Sequence, residues 1–245
     1  DRLKNFMQTA YYANLTDFIE ALGISAQAIC TESFVYQGIA AYKKGMHKEA
    51  VFFFEQYPNL LQTAPPEIIE CFAISLTEIK EYNRAASILA EGIEKWPSYH
   101  WLYMRLGIAE AALGNHEAAL KALRISHEMA TDNPYIIYLM IESLVALKEY
   151  GEASELSALP AIVSGKDSWV LWARWRAFTG AGKDIEAQSV FQQLADNDKE
   201  LQPFFQHLYI DKDTGKVNEL LNSLSINDDA VFPEVYMLME RLNHH

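Results

Sequence analysis

Apolar positions along this chain return at an interval far longer than a helical turn. Ala85, Ala119, Ala153 and Ala187 stand 34 residues apart, and Ala50 precedes them at 35. Around each the local pattern is helical. Leu89, Leu123 and Phe191 follow their alanines by four residues, while Tyr82, His116, Tyr150 and Ile185 precede theirs by two or three. Residues four apart lie on one face of a helix, so each of these alanines shares its face with a larger apolar group. Twelve residues before the alanines sit Gly38, Ala73 and Gly107. Small side chains at both places let two helices approach closely. Between them lie Lys44-Gly45-Met46-His47, Leu113-Gly114-Asn115-His116 and Gly182-Lys183-Asp184-Ile185, where glycine supplies the left-handed residue that ends a helix. The pattern predicts one helical hairpin per interval. A repeat of this length denotes stacked units, each burying its apolar face on the next.

These residues resemble the tetratricopeptide repeat, which places Leu-Gly in its first helix, Tyr and Ala in its second and Pro at its close. The unit from His100 to Asn133 carries Tyr103, Leu106, Gly107, Gly114, His116, Ala119 and Leu123 in the matching places. The unit from Pro66 to Tyr99 adds Tyr82, Ala85, Leu89 and a closing Pro97. Units beginning near Thr31, Pro134 and Ser168 match less fully, and one from about Leu201 keeps Gly215 but has Leu220 in the alanine's place. Ile141 and Trp175 stand where the small residue of the first helix is expected, and Pro160 should cut short the second helix of the fourth unit.

The resemblance implies an all-α fold, a right-handed α-α superhelix of about six hairpins forming a single domain over residues 1–245. Its parts would be a degenerate hairpin over 1–30, five repeats over 31–199, and a degenerate repeat with a capping helix over 200–245. In the first of these, Asn14 marks the turn and Phe18, Ile19 and Leu22 face inward. The cap falls on 232–242, where Val235, Tyr236, Leu238, Met239 and Leu242 share one apolar face. His244-His245 is set aside as the start of a purification tag.

Charge narrows the partners. Against 33 acidic residues the chain has 20 basic ones, a net charge of −13, and such a surface repels the phosphate backbones of nucleic acids. Basic or amphipathic protein segments are favoured instead. No run approaches the roughly 18 to 20 apolar residues that cross a bilayer, so direct membrane insertion is not expected. Cys30 and Cys71 lack ligand spacing and lie on apolar helical stretches, which predicts buried free thiols and a reducing, cytoplasmic setting. A chain opening on Asp1 is also compatible with a removed leader, hence with a periplasmic setting, or with an excised fragment.

Catalytic and metal-binding patterns are thin. His116-Glu117 begins like a zinc-binding helix, but Leu120 occupies the place of the second histidine. His47, His100, His127 and His207 fall on separate units without a cysteine or carboxylate at ligand spacing. No glycine precedes Lys-Ser or Lys-Thr in a phosphate-binding loop. The expectation is a protein without enzymatic activity, cofactor or metal.

In the family that the chain resembles, the first helix of each hairpin lines a concave groove. Carried over residue by residue, the groove positions include Tyr42, Glu67 and Glu70, then Trp101, Met104, Tyr135, Tyr138 and Glu142, and finally Trp169, Trp172 and Arg176. The resemblance thus implies a wall that is acidic early in the chain and aromatic later. Trp and Tyr bury large areas with few rotamers to freeze, which suits them to anchoring a partner segment. A basic group would lie near Glu67, Glu70 or Glu142. Clustered lysines and asparagines able to grip a terminal carboxylate are absent from the corresponding positions. Three functions fit: a noncatalytic scaffold or adaptor in a hetero-complex of transport, secretion or regulation; a regulatory segment of a larger enzyme or transcription factor; or a receptor stacking a small ligand such as a glycan on Trp101, Trp169 and Trp172.

Overall fold

The computed structural model describes residues 26–57 and 59–223. Most of the expected first hairpin and all of the expected capping helix lie outside the described residues, as does the side chain of Cys30. Every regular element among the described residues is helical. The chain divides into two compact units, Asp1–Gly114 and Asn115–His245.

In the first unit, α1 (Ala26–Lys43) and α2 (His47–Glu55) form a hairpin, followed by the short α3 (Leu60–Thr63). Helices α4 (Pro66–Glu78) and α5 (Tyr82–Lys95) form the next hairpin, and α6 (His100–Ala112) packs on both. Helix α1 also packs on α4, so first helices stack on first helices. Helix α1 begins ahead of the repeat start expected near Thr31. The core here centres on Ala50, Phe54, Ile69, Ala73, Leu76, Ala85, Leu89 and Leu102, all sealed from solvent. Gly38 has its predicted role: a Cβ there would lie 2.6 Å from the Phe54 ring.

The second unit repeats this logic with α7 (His116–Met129), α8 (Pro134–Ala146), α9 (Tyr150–Ser157), α10 (Pro160–Val163), α11 (Ser168–Gly180) and α12 (Asp184–Asn197). A 3-10 turn (Lys199–Leu201) leads into α13 (Gln202–Phe205), which continues as a π-helical turn (Gln206–Ile210) before α14 (Thr214–Ser223). Helix α11 packs on α8, α9 and α12. Pro160 acts as expected. Helix α9 stops at Ser157, and the proline restarts the chain as the first residue of α10, a position where its missing N–H costs nothing. Leu220, in the alanine's place of the last repeat, packs against the core of this end.

All five marker alanines are fully buried. The bulky residues at the small-residue position are also fully buried, Ile141 and Trp175 included. Trp175 packs edge-to-face on Phe191 at 5.3 Å and donates its indole N–H to the Tyr209 hydroxyl at 2.7 Å. The repeats beginning near Pro134 and Ser168 thus accept a large group where the three before them take glycine or alanine.

The turns between paired helices show why glycine recurs, and where it is dispensed with. Gly45, Gly114 and Gly182 have φ of 71°, 81° and 72°, and Lys80, Lys148 and Lys212 take the same left-handed conformation at 65°, 62° and 53°. At Lys80 the amide bonds to the Thr77 carbonyl and the next amide, of Glu81, to that of Leu76. This double closure satisfies carbonyls that the helix end leaves open. A lysine there carries a left-handed cost of roughly 1 to 2 kcal/mol.

One buried residue breaks the pattern. Arg174 stands where the repeat expects leucine, is buried in α11, and donates its Nε–H to the Ser157 carbonyl at 3.1 Å. That carbonyl ends α9, where a cation complements the helix dipole. Burial alone holds the guanidinium's pKa below its ordinary value.

Candidate functional site

The groove residues expected from the sequence fall into two sets, one in each unit. In the first, Tyr42 is half-buried at the end of α1, edge-on to the His47 ring with centroids 6.1 Å apart. Burial raises its phenol pKa above the ordinary value. Glu67, in the first turn of α4, is exposed, and there a carboxylate complements the helix dipole. Glu70, one turn on, is engaged: it accepts from Arg105 Nε at 3.0 Å and from the Tyr99 hydroxyl at 3.1 Å. Tyr99 is pushed well above the ordinary tyrosine range, first by burial and then by the Glu70 charge. Trp101 is half-buried and tilted against the His100 ring at 4.5 Å. Met104 is 1% exposed and presents no area to a partner. Cys71 is a free thiol, half-buried rather than sealed, and burial pushes its pKa up.

In the second unit the corresponding residues lie on α8 and α11, and the structure brings them together. Tyr135 and Tyr138 stack at 6.0 Å, and Trp169 meets both edge-on, at 5.9 Å and 4.3 Å. Tyr135 and Trp169 are each 40% exposed, and Tyr138 is half-buried between them. Burial, reinforced by the Glu142 charge, pushes the Tyr138 phenol up to about 12, so it stays protonated at neutral pH. The side chain of Asn133 caps α8 by accepting from the Tyr135 amide at 3.0 Å, which fixes the turn that carries the first ring.

Further along the same two helices, Arg176 donates to Glu142 at 3.3 Å. Trp172 departs from the expected open stripe. It packs edge-to-face on Trp175 at 5.4 Å and Phe191 at 5.8 Å, against the core of this unit. Of the carboxylates expected to receive a basic group, Glu70 and Glu142 already hold arginines, and Glu67 is left exposed.

The pairings that engage these side chains escaped the sequence reading, although a signal existed. Arg105 follows Glu70 by 35 residues, Arg176 follows Glu142 by 34, and Tyr209 follows Trp175 by 34. In a stacked repeat, residues one period apart become neighbours. Scanning for complementary pairs at that offset would have found all three.

Among the described residues no group of three or more His, Cys, Asp or Glu side chains is arranged to hold a metal ion. Nor is any helix there long and apolar enough to cross a membrane. What the α8–α11 face supplies chemically is a platform of aromatic carbon with an ion pair beside it.

No family model matches the sequence, and no curated protein does. Solved structures do match in fold. A crystal structure of MamA aligns at a TM-score of 0.61 with 17% identity, over 70% of this chain and 93% of that one. MamA of MSR-1 aligns at 0.60 with 19% identity, over 69% of this chain and 97% of the other. TTC0263, a thermophilic TPR protein of Thermus thermophilus, aligns at 0.53 with 17% identity, over 80% of this chain and 100% of its own. The fold is that of a tetratricopeptide-type helical repeat, as the resemblance of its repeat residues implied.

Proposed function

We propose that this chain is a noncatalytic protein-binding scaffold that holds a segment of its partner on the face carried by Tyr135, Tyr138 and Trp169. The observation behind this reading is the partial exposure of three mutually packed rings on consecutive first helices, with Tyr135 and Trp169 each 40% exposed. Rings braced against one another are already ordered. A partner that covers them gains buried apolar area without freezing many rotamers. The partner segment on this reading is extended or amphipathic, with apolar side chains over the rings. The chain would then serve as one subunit of a transport, secretion or regulatory assembly.

The test is affinity capture from a native lysate with the wild type and with Tyr135→Ala/Trp169→Ala, identifying bound proteins by mass spectrometry. The expected result is a partner lost with the double variant, at about 1 to 3 kcal/mol per ring, while helical circular dichroism and melting are retained. Equal capture by both proteins sinks the proposal. A stable variant that has instead lost its response to an oligosaccharide would move the site to the small-ligand class.

A further inference from the structure

The exposed apolar surface of the second unit reaches beyond its rings. Apart from Ile185 and Ile210, the large apolar side chains exposed among its described residues are Met129 at 45%, Val163 at 48%, Tyr135 and Trp169. These four occupy two repeat positions. Met129 ends α7 and Val163 ends α10, 34 residues later, while Tyr135 and Trp169, also 34 apart, are the second residues of α8 and α11. Each pair flanks a tight connection, closed in one by the Asn133 amide on the Ala130 carbonyl at 3.2 Å and in the other by the Gly165 amide on the Ile162 carbonyl at 3.0 Å. Helix α8 packs on α7, α10 and α11, so the helices that carry the four side chains adjoin. The same places in the first unit are not both apolar and open. They hold Lys95 with Trp101, and Leu61 with Glu67. Lys95 donates to the Gln62 carbonyl and lies over the Trp96 ring, and Leu61 is half-buried.

Carboxylates border this patch. Glu128, Asp132 and Asp167 are exposed, and none makes an ion pair or hydrogen bond with a described residue; Asp167 stands before α11 without capping it. Against them are set only the exposed Lys166 and the half-buried His127. An acidic border discriminates among occupants. A second copy of this chain would bring the same carboxylates, and a net charge of −13, against themselves. The segments outside the described residues are acidic too: 1–25 sets Asp1, Asp17 and Glu20 against Arg2 and Lys4, and 224–245 sets Asp228, Asp229, Glu234 and Glu240 against Arg241. An anionic lipid surface is repelled in the same way.

Resting on the protein-binding reading above, we propose that the docking face extends across Met129 and Val163, and that the segment it holds is an amphipathic helix of a partner protein with basic residues along its margins. The patch is two residues wide at each of two successive connections. A helix with one apolar stripe covers a surface of that form and carries its charged residues on the flanks. Lysines or arginines there would meet Glu128, Asp132 and Asp167, whose charges no residue of this chain has yet answered. Apolar cover supplies the affinity, and the acidic border supplies orientation and selects against acidic segments. A strand would need an open sheet edge, and none exists among the described residues.

The experiment is an NMR titration of the full chain, read at the methionine methyls and the indole N–H groups. One probe is a peptide of about 18 residues, five helical turns, with leucine and lysine in amphipathic order. The others are its leucine/glutamate counterpart, the leucine/lysine composition in scrambled order, and phosphatidylcholine vesicles. The amphipathic leucine/lysine peptide is expected to shift the Met129 methyl and the Trp169 indole together and saturably, and the other probes to do so far more weakly. Met129→Gln/Val163→Gln, which leaves the rings in place, should weaken it about tenfold. Glu128→Gln/Asp132→Asn/Asp167→Asn should weaken it about tenfold at low salt and flatten its salt dependence. Glu49→Gln/Glu94→Gln/Glu117→Gln, an equal change of charge on other exposed carboxylates, should leave it within about twofold. Circular dichroism checks that each variant folds; if one set does not, the other and the wild-type probes decide. Binding that shifts Trp169 but ignores Met129→Gln/Val163→Gln overturns the inference and leaves the ring face intact. Equal weakening by the two charge-neutralised triples, or equal binding of the leucine/glutamate peptide, overturns the choice of a basic partner. Shifts with vesicles and none with peptides reassign the patch to a lipid surface and overturn the inference. Silence toward every probe overturns it as well, while the capture experiment decides separately whether the face binds protein.

Discussion

The two units carry groove residues at the same repeat positions and use them in opposite ways. In the first, Glu70 is closed by Arg105 and Tyr99, Met104 is sealed, and Trp101 leans on its neighbour His100. In the second, Tyr135, Tyr138 and Trp169 brace one another and leave area exposed. Repeat position tells which helix face a side chain occupies. Whether that face stays open depends on the neighbour one period away: a complementary charge closes it, and another aromatic ring builds it outward.

The largest effect should come from the core of the second unit. Trp175 is fully buried under Trp172 and against Phe191. Trp175→Ala should cost about 3 to 5 kcal/mol, measured by urea unfolding. Its counterpart in the first unit is Ala73, so bulk should have the reverse effect there: Ala73→Leu is expected to destabilise by about 1 to 3 kcal/mol. A tolerated leucine at that site would break the claimed contrast in packing.

A close second is Gly180→Ala. A Cβ at Gly180 would fall 2.1 Å from the Tyr150 ring, so α9 must retreat from α11 at an expected cost of about 1 to 3 kcal/mol. An unchanged melting temperature would show that the contact between these helices is looser than described.

The third effect appears on titration with base. Tyr138 has its pKa raised to about 12 from an unfolded value near 10. Burial favours the neutral phenol, so the stabilisation is complete below pH 10 and is lost as pH rises through 12. Tyr138→Phe should flatten this decline, followed by melting between pH 8 and 12. A decline unaltered by the substitution would assign it to other groups.

The smallest effect sharpens what the units share. Lys80→Gly and Lys148→Gly relieve a left-handed lysine in each unit and should each stabilise by roughly 0.5 to 1 kcal/mol. Unequal gains would show that the two turns are not equivalent.

Much of the fold was legible because it rests on local signals that recur. Buried alanines at the 34-residue interval, glycine at three of the turns and Pro160 at a helix break all act within one hairpin. The lysines at the other turns were silent, since lysine has no preference for a left-handed backbone. The candidate site was legible as a set of positions but not as a surface. Trp172 and Trp169 sit one turn apart on one helix with the same expected role, yet Phe191 and Trp175 cover the first and not the second. Arg174 was missed for a similar reason. Its value lies in the Ser157 carbonyl that the neighbouring helix leaves open, which no pattern within α11 announces.

The central claim, that the open rings of α8 and α11 are where a partner lies, is tested most directly by mapping the bound partner segment onto the chain through amide and indole NMR shifts. The account predicts shifts concentrated on 134–142 and 168–176, led by the Trp169 indole N–H. Shifts confined to 26–114, or to the second helices of the hairpins, would contradict it.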